Sequence, residues 1–256
     1  MSNNIYKVTK LEKRGKKYIV HYNDEEYKFT EDIIVKYSLL QGYEFTENKF
    51  AEIKKAALQN ELLNKVLNYL GYSVRSEKEV YLYLKKKEAT NTDIALIIEQ
   101  LKKYNYIDDE KTAKAIFSYY TPKKGPKYIA SKLYDKGINK DIIENVISMY
   151  TEDIQKANIM LIINSVADKY IQYPVMIQKK KLYSKLVSSG FSYTVIQEVI
   201  NMIELREDSD EKLVSDYNKL LKKYETYLPK DKKSKIITSL LKKGYKYEKI
   251  KNILTN

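Results

Sequence analysis

The chain has 256 residues, of which 43% are hydrophobic and 32% charged, and it carries a net charge of +13. This balance is typical of a folded protein, and the absence of cysteine excludes disulfides, thiolate chemistry and cysteine-bound metals. No apolar run is long enough for a signal peptide or a membrane span, so we expect a soluble cytoplasmic protein.

The positive charge lies almost entirely beyond residue 50. Residues 1–50 have a net charge of +1, and the rest of the chain has +12. A basic body favours a polyanionic partner such as nucleic acid, or the acidic surface of another protein. The alternative is that surface lysines accumulate in a chain that is rich in Lys, Ile, Asn and Tyr throughout, without any ligand.

The first fifty residues have the pattern of a small β-rich domain. IYKVTKLEK and KKYIVHYN alternate apolar and polar residues around Arg14-Gly15, which predicts a hairpin. EEYKFT predicts a third strand, EDIIVKYSL a short helix, and Gly42 a turn into YEFT. We place this domain at residues 1–50.

From Ala51 onward one helical pattern recurs about every fifty residues, as in KLYDKGINKDIIENVI and KLVSSGFSYTVIQEVI. Its fixed points are Gly137, Gly190 and Gly244, with Glu88 in the place of an earlier glycine. A leucine precedes each of these four positions by four residues, at Leu84, Leu133, Leu186 and Leu240. We expect the glycines to end helices in the left-handed conformation, and the leucines to lie in the core.

Prolines mark the same boundary in three of the repeats, at Pro122, Pro174 and Pro229. Each repeat is therefore predicted to hold three helices, at 51–107, 108–150, 151–206 and 207–256. The predicted fold is mainly α: tandem three-helix repeats in an elongated, curved array after the β-rich domain. Ser76 and Glu79 predict a capping box, and Asp108 or Asp109 a helix cap. Lys136 and Lys179 are expected at the surface.

The residues of common catalytic sites are missing. The single histidine, His21, falls in a predicted strand, and no glycine-rich phosphate loop is present. Asp108-Asp109-Glu110 is better explained by helix capping than by a metal or acid–base site. The acidic run Glu204 to Glu211 is interpreted as a solvated link. We expect neither an enzyme nor a cofactor or metal.

The remaining candidates for a functional site are lysines near predicted helix ends, often beside tyrosine, as in KKYNY, KKGPKY and KKGYKY. Lysine neutralises phosphate and tyrosine stacks on unpaired bases, so these residues predict a binding strip. The alternative is that such lysines favour the helix dipole while the tyrosines are half buried. The candidate binding residues are Arg75, Lys86, Lys87, Lys102, Lys103, Lys123, Lys124, Lys127, Lys179 and Lys180.

Residues 60–150 resemble the RecX family of recombination regulators. The resemblance is carried by Arg75-Ser76, the turn Tyr106-Ile107-Asp108-Asp109, Gly125-Pro126 and Lys136-Gly137-Ile138. It implies a bacterial cytosolic protein, without enzymatic activity, that binds the RecA recombinase polymerised on single-stranded DNA. It also implies that the protein lies along the filament groove and restrains ATP hydrolysis, strand exchange and co-protease activity.

Two other functional classes stay open at this stage. An autonomous DNA-binding protein would use the three-helix repeats as helix-turn-helix modules, although the third helices DIIENVISMY and YTVIQEVINMI offer few base-reading side chains. A purely structural scaffold would need a partner that the sequence does not name. For the filament regulator we expect a monomer, with weak direct binding to DNA as an additional property.

Overall fold

The structure is a computed structural model, and it describes residues 5–22, 24–206 and 210–255. The chain forms two compact units. The first comprises the chain up to Thr112 together with the short segment Lys136–Ile138. The second comprises Ala113–Asp135 and the chain from Asn139 onward.

The first compact unit begins with a four-stranded antiparallel sheet in the order β3-β2-β1-β4. Its elements are β1 (Ile5–Arg14), β2 (Lys17–Tyr22), β3 (Glu25–Thr30), the helix α1 (Glu31–Tyr37) and β4 (Glu44–Thr46). Gly15 supplies the positive φ of 63° that the β1–β2 turn requires. The predicted hairpin, third strand and short helix are all present, β4 follows the predicted turn at Gly42, and His21 lies in β2.

One long helix, α2 (Glu47–Leu70), joins the sheet to the first repeat. Phe50 and Ile53 near its start complete the aromatic core under the sheet, where the Phe50 and Tyr22 ring centroids are 4.7 Å apart. Leu62 and Val66 nearer its end belong to the helical core instead. A single helix therefore contributes to two hydrophobic cores.

In the described residues, the twelve helices α2 to α13 fall into four groups of three. The groups are α2 with α3 (Glu77–Lys86) and α4 (Asn91–Lys103); α5 (Asp109–Tyr120), α6 (Pro126–Asp135) and α7 (Lys140–Ser148); α8 (Glu152–Tyr170), α9 (Val175–Ser188) and α10 (Tyr193–Met202); and α11 (Glu211–Lys223), α12 (Pro229–Lys242) and α13 (Tyr247–Thr255). The mainly helical fold with a small N-terminal sheet is thus confirmed. We call these groups repeats 1 to 4.

The leucine and glycine positions have the same environment in every repeat. The side chains of Leu84, Leu133, Leu186 and Leu240 are all 0% exposed. Gly137, Gly190 and Gly244 have φ of 73°, 85° and 90°, in the left-handed region. Each glycine follows the second helix of its repeat, where a left-handed residue ends the helix without a β-carbon clash.

The capping predictions are confirmed. Ser76 and Glu79 form a complete capping box at the start of α3. Asp108 caps α5 by accepting a hydrogen bond from the Lys111 backbone N–H at 3.0 Å. Pro174 and Pro229 stand at the starts of α9 and α12. In repeat 2, however, α6 begins at Pro126 rather than beside Pro122.

One expectation about the surface was wrong. Lys136 is only 30% exposed, and its ammonium group lies 2.7 Å from a carboxylate oxygen of Glu79. The two residues are distant in sequence, so no local pattern could reveal the pair. The acidic run from Glu204 to Glu211 lies partly outside the described residues, because 207–209 are not described.

Candidate binding surface and repeat joints

Three of the candidate binding lysines, Lys123, Lys124 and Lys127, lie beside a contact between consecutive repeats. We call each such contact a repeat joint: the glycine turn of one repeat packed on the start of the second helix of the preceding repeat. Three joints are present in the described residues, at Gly137, Gly190 and Gly244. Their geometry decides how rigidly the basic residues are held.

The joint at Gly137 lies in the first compact unit and is built from polar side chains. Ser76 donates a hydrogen bond from its hydroxyl to the backbone carbonyl of Lys136 at 2.7 Å. Glu79 accepts from the Ser76 backbone N–H at 2.9 Å and from the Lys136 ammonium at 2.7 Å. The capping box of α3 therefore also binds the turn of repeat 2.

Charge balance at this joint appears in the pKa of Glu79. Burial raises the pKa of this carboxyl group, but hydrogen bonds from Lys136 and the Ser76 backbone outweigh burial, so the net pKa is lowered. Nearby, Asp109 accepts from the Glu77 backbone N–H at 2.9 Å. Burial dominates there, and the pKa of Asp109 is raised. Folding thus lowers the pKa of Glu79 and raises that of Asp109, so acid removes a stabilising contribution at Glu79 and relieves the burial of charge at Asp109.

Arg75 belongs to the same network, although the sequence suggested a binding role. Its guanidinium group lies 4.5 Å from the ring centroid of Tyr69 and donates to Glu79 at 3.3 Å. Tyr69 in turn stacks on Tyr83, with ring centroids 4.2 Å apart. Thus Arg75, Ser76, Asp109 and Lys136, residues from separate motifs of the RecX resemblance, meet around the start of α3.

The joint at Gly190 lies in the second compact unit and brings two backbones together. Gly125 donates from its N–H to the Ser189 carbonyl at 2.8 Å, and Lys127 donates to the Gly190 carbonyl at 3.1 Å. A β-carbon on Gly190 would lie 2.5 Å from the backbone nitrogen of Tyr128. A β-carbon on Gly125 would overlap the backbone at Gly190 in the same way. This approach requires glycine on both sides.

The joint at Gly244 is apolar. A β-carbon at this position would lie 2.8 Å from Ile177 Cγ1 and 3.4 Å from the terminal methyl of Met176. Both of these residues stand in the first turn of α9. Three joints of equivalent position are thus built from polar side chains, from backbone and from apolar side chains.

The basic turn Thr121–Gly125, before α6, is held by the buried side chains of Tyr150 and Asn158. The hydroxyl of Tyr150 lies 2.8 Å from the carbonyl of Thr121 and 3.0 Å from that of Lys124. Asn158 donates to the Thr121 carbonyl at 2.8 Å and to the Tyr150 hydroxyl at 3.0 Å. Tyr150 is 4% exposed, and burial raises its pKa. Three hydrogen bonds from two buried side chains therefore hold the turn, and a fourth joins those two side chains to each other.

Lysine and tyrosine alternate on the outer side of this turn. The ammonium groups of Lys123, Lys124 and Lys127 lie 5.3, 4.7 and 4.0 Å from the ring centroids of Tyr119, Tyr128 and Tyr193 respectively. Tyr119 and Tyr193 are 65% and 54% exposed. We call these six residues the Lys–Tyr cluster. Cation–π contacts of this kind restrain lysine side chains that would otherwise be mobile.

The sequence pattern identifies the lysines of this cluster but not the residues that position them. Tyr193, Tyr150 and Asn158 come from α10, from the end of repeat 2 and from α8, so their proximity depends on packing between repeats. Tyrosine is abundant in the chain, with 26 residues, and no spacing singles out these ones. The only available signal was the glycine-proline pair at Gly125, which points to a constrained helix start.

The other predicted lysines are less closely grouped. Lys87 lies 5.5 Å from the Tyr83 ring centroid, and Lys102 forms an ion pair with Glu77. Lys86, Lys103 and Lys180 are exposed, and Lys179 is half buried. Lys86, Lys87, Lys102 and Lys103 belong to the first compact unit, whereas Lys123, Lys124, Lys127, Lys179 and Lys180 belong to the second. The predicted lysines are therefore divided between the two units, and three of them, Lys123, Lys124 and Lys127, belong to the Lys–Tyr cluster.

The described residues contain no group of three or more His, Asp or Glu side chains arranged to hold a metal ion. Across the same part of the chain, no helix is both long and apolar enough to cross a membrane. The second compact unit does contain an open groove of about 700 Å³ between α8 and α10, lined by Met160, Ile163 and Met202 among others.

These features define a class: a helical-repeat protein with a fixed basic and aromatic surface. Residues 63–101 match the model of the first three-helix domain of RecX. The regulatory protein RecX of Streptococcus agalactiae serotype III (strain NEM316) is 34% identical over 97% of this chain and 98% of its own. That of Listeria monocytogenes serotype 4a (strain HCC23) is 34% identical over 91% and 89%. The chain belongs to the RecX family of regulatory proteins.

Solved structures agree with the fold. A crystal structure of a regulatory protein RecX covers 77% of this chain and 99% of its own, with a TM-score of 0.63 and 23% identity. RecX from Lactobacillus salivarius covers 56% of this chain and 94% of its own, with a TM-score of 0.52 and 29% identity. The repeat architecture is thus common to this chain and to these two structures.

Proposed function

We propose that this protein binds the filament that RecA forms on single-stranded DNA and modulates its ATPase, strand-exchange and co-protease activities. It acts along the filament groove, in the cytoplasm, as a monomer and without catalysing a reaction of its own. The observation that carries the proposal is the Lys–Tyr cluster, held on a fixed turn in a chain of the RecX family.

The cluster suits a polyanionic surface for a physical reason. Its lysines are oriented by aromatic rings, and its turn is held by Tyr150 and Asn158. A preorganised group loses less conformational entropy on binding than a flexible one. Lysine contacts on phosphate or carboxylate then contribute affinity without reading sequence. A regulator that binds filaments on any DNA sequence needs this property.

Modulation requires more than binding. A protein shifts the balance between two filament states only by the difference in its affinity for them. Rigid repeat joints favour one spacing of contacts over another, because the joint at Gly190 leaves no room for the backbones to slide. The protein therefore stabilises the filament arrangement that matches its own contacts.

The test is DNA-dependent ATP hydrolysis by RecA in the presence of the purified protein. We expect the wild type to lower the rate when it is present at about the same concentration as RecA. For Lys123→Glu/Lys124→Glu/Lys127→Glu we expect at least about a tenfold higher concentration to be needed for the same inhibition, since charge reversal at a binding surface weakens attraction. Lys16→Glu/Lys17→Glu is the control, because these exposed residues lie in the sheet domain. Equal inhibition by the triple variant and the wild type would remove the cluster from the mechanism.

An autonomous DNA-binding protein is the second candidate, and one observation favours it. Thr194, Gln197 and Asn201 are exposed on one face of α10, where Gln197 donates to Asn201 at 3.2 Å. Amide side chains on a third helix are suited to reading bases in a major groove. Tight binding to naked duplex DNA at physiological salt, with RecA activity unchanged, would support this candidate against the first.

A further inference from the structure

The three repeat joints share one design with two halves. One half is the glycine turn, and the other is the start of the preceding second helix. A β-carbon on Gly137, Gly190 or Gly244 would overlap, respectively, Lys78, Tyr128 or Ile177, which stand in the first turns of α3, α6 and α9. Each turn must therefore present bare backbone to the helix start that packs on it.

Repeat 1 has the same turn, but with a side chain on it. Glu88 has a positive φ of 61° and donates from its N–H to the Lys85 carbonyl at 3.0 Å. Ala89 donates to the Leu84 carbonyl at 3.2 Å, as Phe191 donates to Leu186 and Tyr245 to Leu240. The backbone of this turn is thus equivalent to the glycine turns. Glu88 itself is exposed.

In repeat 4 the other half of a joint, the start of the second helix, is exposed. The residues before the first turns of α3, α6 and α9 are Ser76, Gly125 and Pro174, and all three are buried. The equivalent residue before α12, Leu228, is 72% exposed, and the adjacent Tyr227 is 44% exposed. Among the described residues no glycine turn packs on this helix start, and its apolar side chains are exposed.

We infer that Glu88 prevents copies of this chain from associating head to tail. The start of α12 in one copy is equivalent to the starts of α3, α6 and α9, on which glycine turns pack. The turn at Glu88 in a second copy has the same backbone conformation as those glycine turns and could pack on it if Glu88 had no side chain. Such a contact is heterologous, so it would join copies head to tail, into a ring or into an open-ended chain. The β-carbon and carboxylate of Glu88 occupy the space that the helix start would need.

Lysines add a second, weaker barrier. Lys85, Lys86 and Lys87 precede Glu88, and Lys230, Lys232 and Lys233 follow Leu228. Like charges at a contact repel, and salt at about 0.5 M screens that repulsion beyond a few ångströms. Removing the side chain of Glu88 is therefore expected to permit association most clearly at high salt.

The experiment compares full-length wild type, Glu88→Gly and Glu88→Ala by sedimentation equilibrium. Samples span about 5 to 300 μM at physiological and at about 0.5 M salt, a range in which mass action reveals weak association. Glycine suits the positive φ, so Glu88→Gly is expected to fold. We expect its weight-average mass to rise with concentration, about twofold at the top of the range, while the other two proteins keep the monomer mass.

Two comparisons keep the inference falsifiable. Glu88→Ala removes the charge but keeps the β-carbon, so association of this variant as strong as that of Glu88→Gly would overturn the steric argument. Adding Leu228→Asp to Glu88→Gly is expected to restore the monomer. Association that survives this second change, or a Glu88→Gly protein that stays monomeric throughout, would equally overturn the inference.

Discussion

The repeat joint at Gly137 and the repeat joint at Gly190 occupy equivalent positions but depend on different chemistry. At Gly137 the contact is made by the hydroxyl of Ser76 and an ion pair between Glu79 and Lys136. At Gly190 it is made by two backbone hydrogen bonds between segments that pass within contact of each other. One joint is electrostatic and the other is steric.

The difference shows that a repeat constrains position more than chemistry. What must be kept is a left-handed turn and a helix start that fits it. The contact itself can be made by polar side chains, by backbone hydrogen bonds or by apolar side chains, because each of these stabilises the packing of the turn on the helix start. Disturbing the two joints should therefore have unequal and recognisable consequences.

The largest effect is expected from Gly190→Ala compared with Gly137→Ala. At Gly190 the new β-carbon meets the Tyr128 backbone, which cannot move aside, whereas at Gly137 it meets the Lys78 side chain, whose Cβ lies 2.8 Å away. We expect the free energy of unfolding to fall by about 2–5 kcal/mol for Gly190→Ala and by about 1–3 kcal/mol for Gly137→Ala, because left-handed strain is common to both and the overlap with backbone is confined to Gly190. Urea titration measures both.

Gly71→Ala is the matched control for these two variants. Gly71 follows α2 with a φ of −62°, and the nearest atom to an added β-carbon is a carbonyl oxygen at 3.3 Å. We expect this change to alter stability by less than about 0.5 kcal/mol. Equal losses at Gly190 and Gly71 would show that backbone approach does not govern the joint.

A smaller effect with a distinctive pH dependence is expected from Glu79→Gln. Removing the charge weakens the bonds from Lys136, Ser76 and Arg75, and we expect a loss of about 1.5–3 kcal/mol at neutral pH. The pKa of Glu79 is lowered in the folded protein, so its stabilising contribution is complete above the ordinary value of 4.5 and is lost as pH falls through the lowered value. The difference between variant and wild type should therefore shrink in acid.

Gly190→Ala provides the contrast for that measurement, because its joint is made by backbone hydrogen bonds rather than by a side-chain carboxylate. Its loss of stability relative to wild type should stay nearly constant over the same pH range. The raised pKa of Asp109 acts on wild type and on both variants alike, so it cancels from the differences. A Glu79→Gln effect that does not change with pH would contradict the electrostatic account.

The smallest effect, a gain, is expected from Glu88→Gly. Glu88 has the left-handed φ of 61°, and its side chain is exposed. Relief of backbone strain should stabilise the protein by about 1 kcal/mol in dilute solution, where copies do not meet. Glu88→Ala keeps the strain and should be nearly neutral. A loss of stability in Glu88→Gly would show that the Glu88 side chain contributes to folding.

Much of the architecture could be predicted because it depends on local periodicity. The leucine and glycine register, the hairpin around Gly15 and the capping box at Ser76 are all encoded within a few residues. The division into domains at 1–50 and at the four repeats stays a prediction, and α2 illustrates why boundaries are difficult. Its apolar residues serve the sheet core at Phe50 and the helical core at Val66 within one unbroken helix.

The candidate site could be predicted only in outline, because its geometry depends on contacts between repeats. Lys123, Lys124 and Lys127 were identifiable as a basic run, and their role stays a prediction. Tyr193 and Asn158, which position them, are separated from the run by at least thirty residues. Arg75 illustrates the opposite difficulty, because a charged residue in a family motif lies on Tyr69 within a structural network.

The position of the joints also determines where the chain can be cut and recombined. Each glycine turn is shaped to fit the helix start of the repeat before it, so the two halves of a joint must be exchanged together. A chimaera between relatives that is spliced at Pro174 separates the turn at Gly190 from its partner, the start of α6 at Gly125. A splice inside α9, after its first turn, separates the Gly244 joint as well, because Ile177 then comes from one parent and Gly244 from the other. Recombination between natural genes meets the same constraint, and its crossovers should be depleted between a helix start and the glycine turn that packs on it.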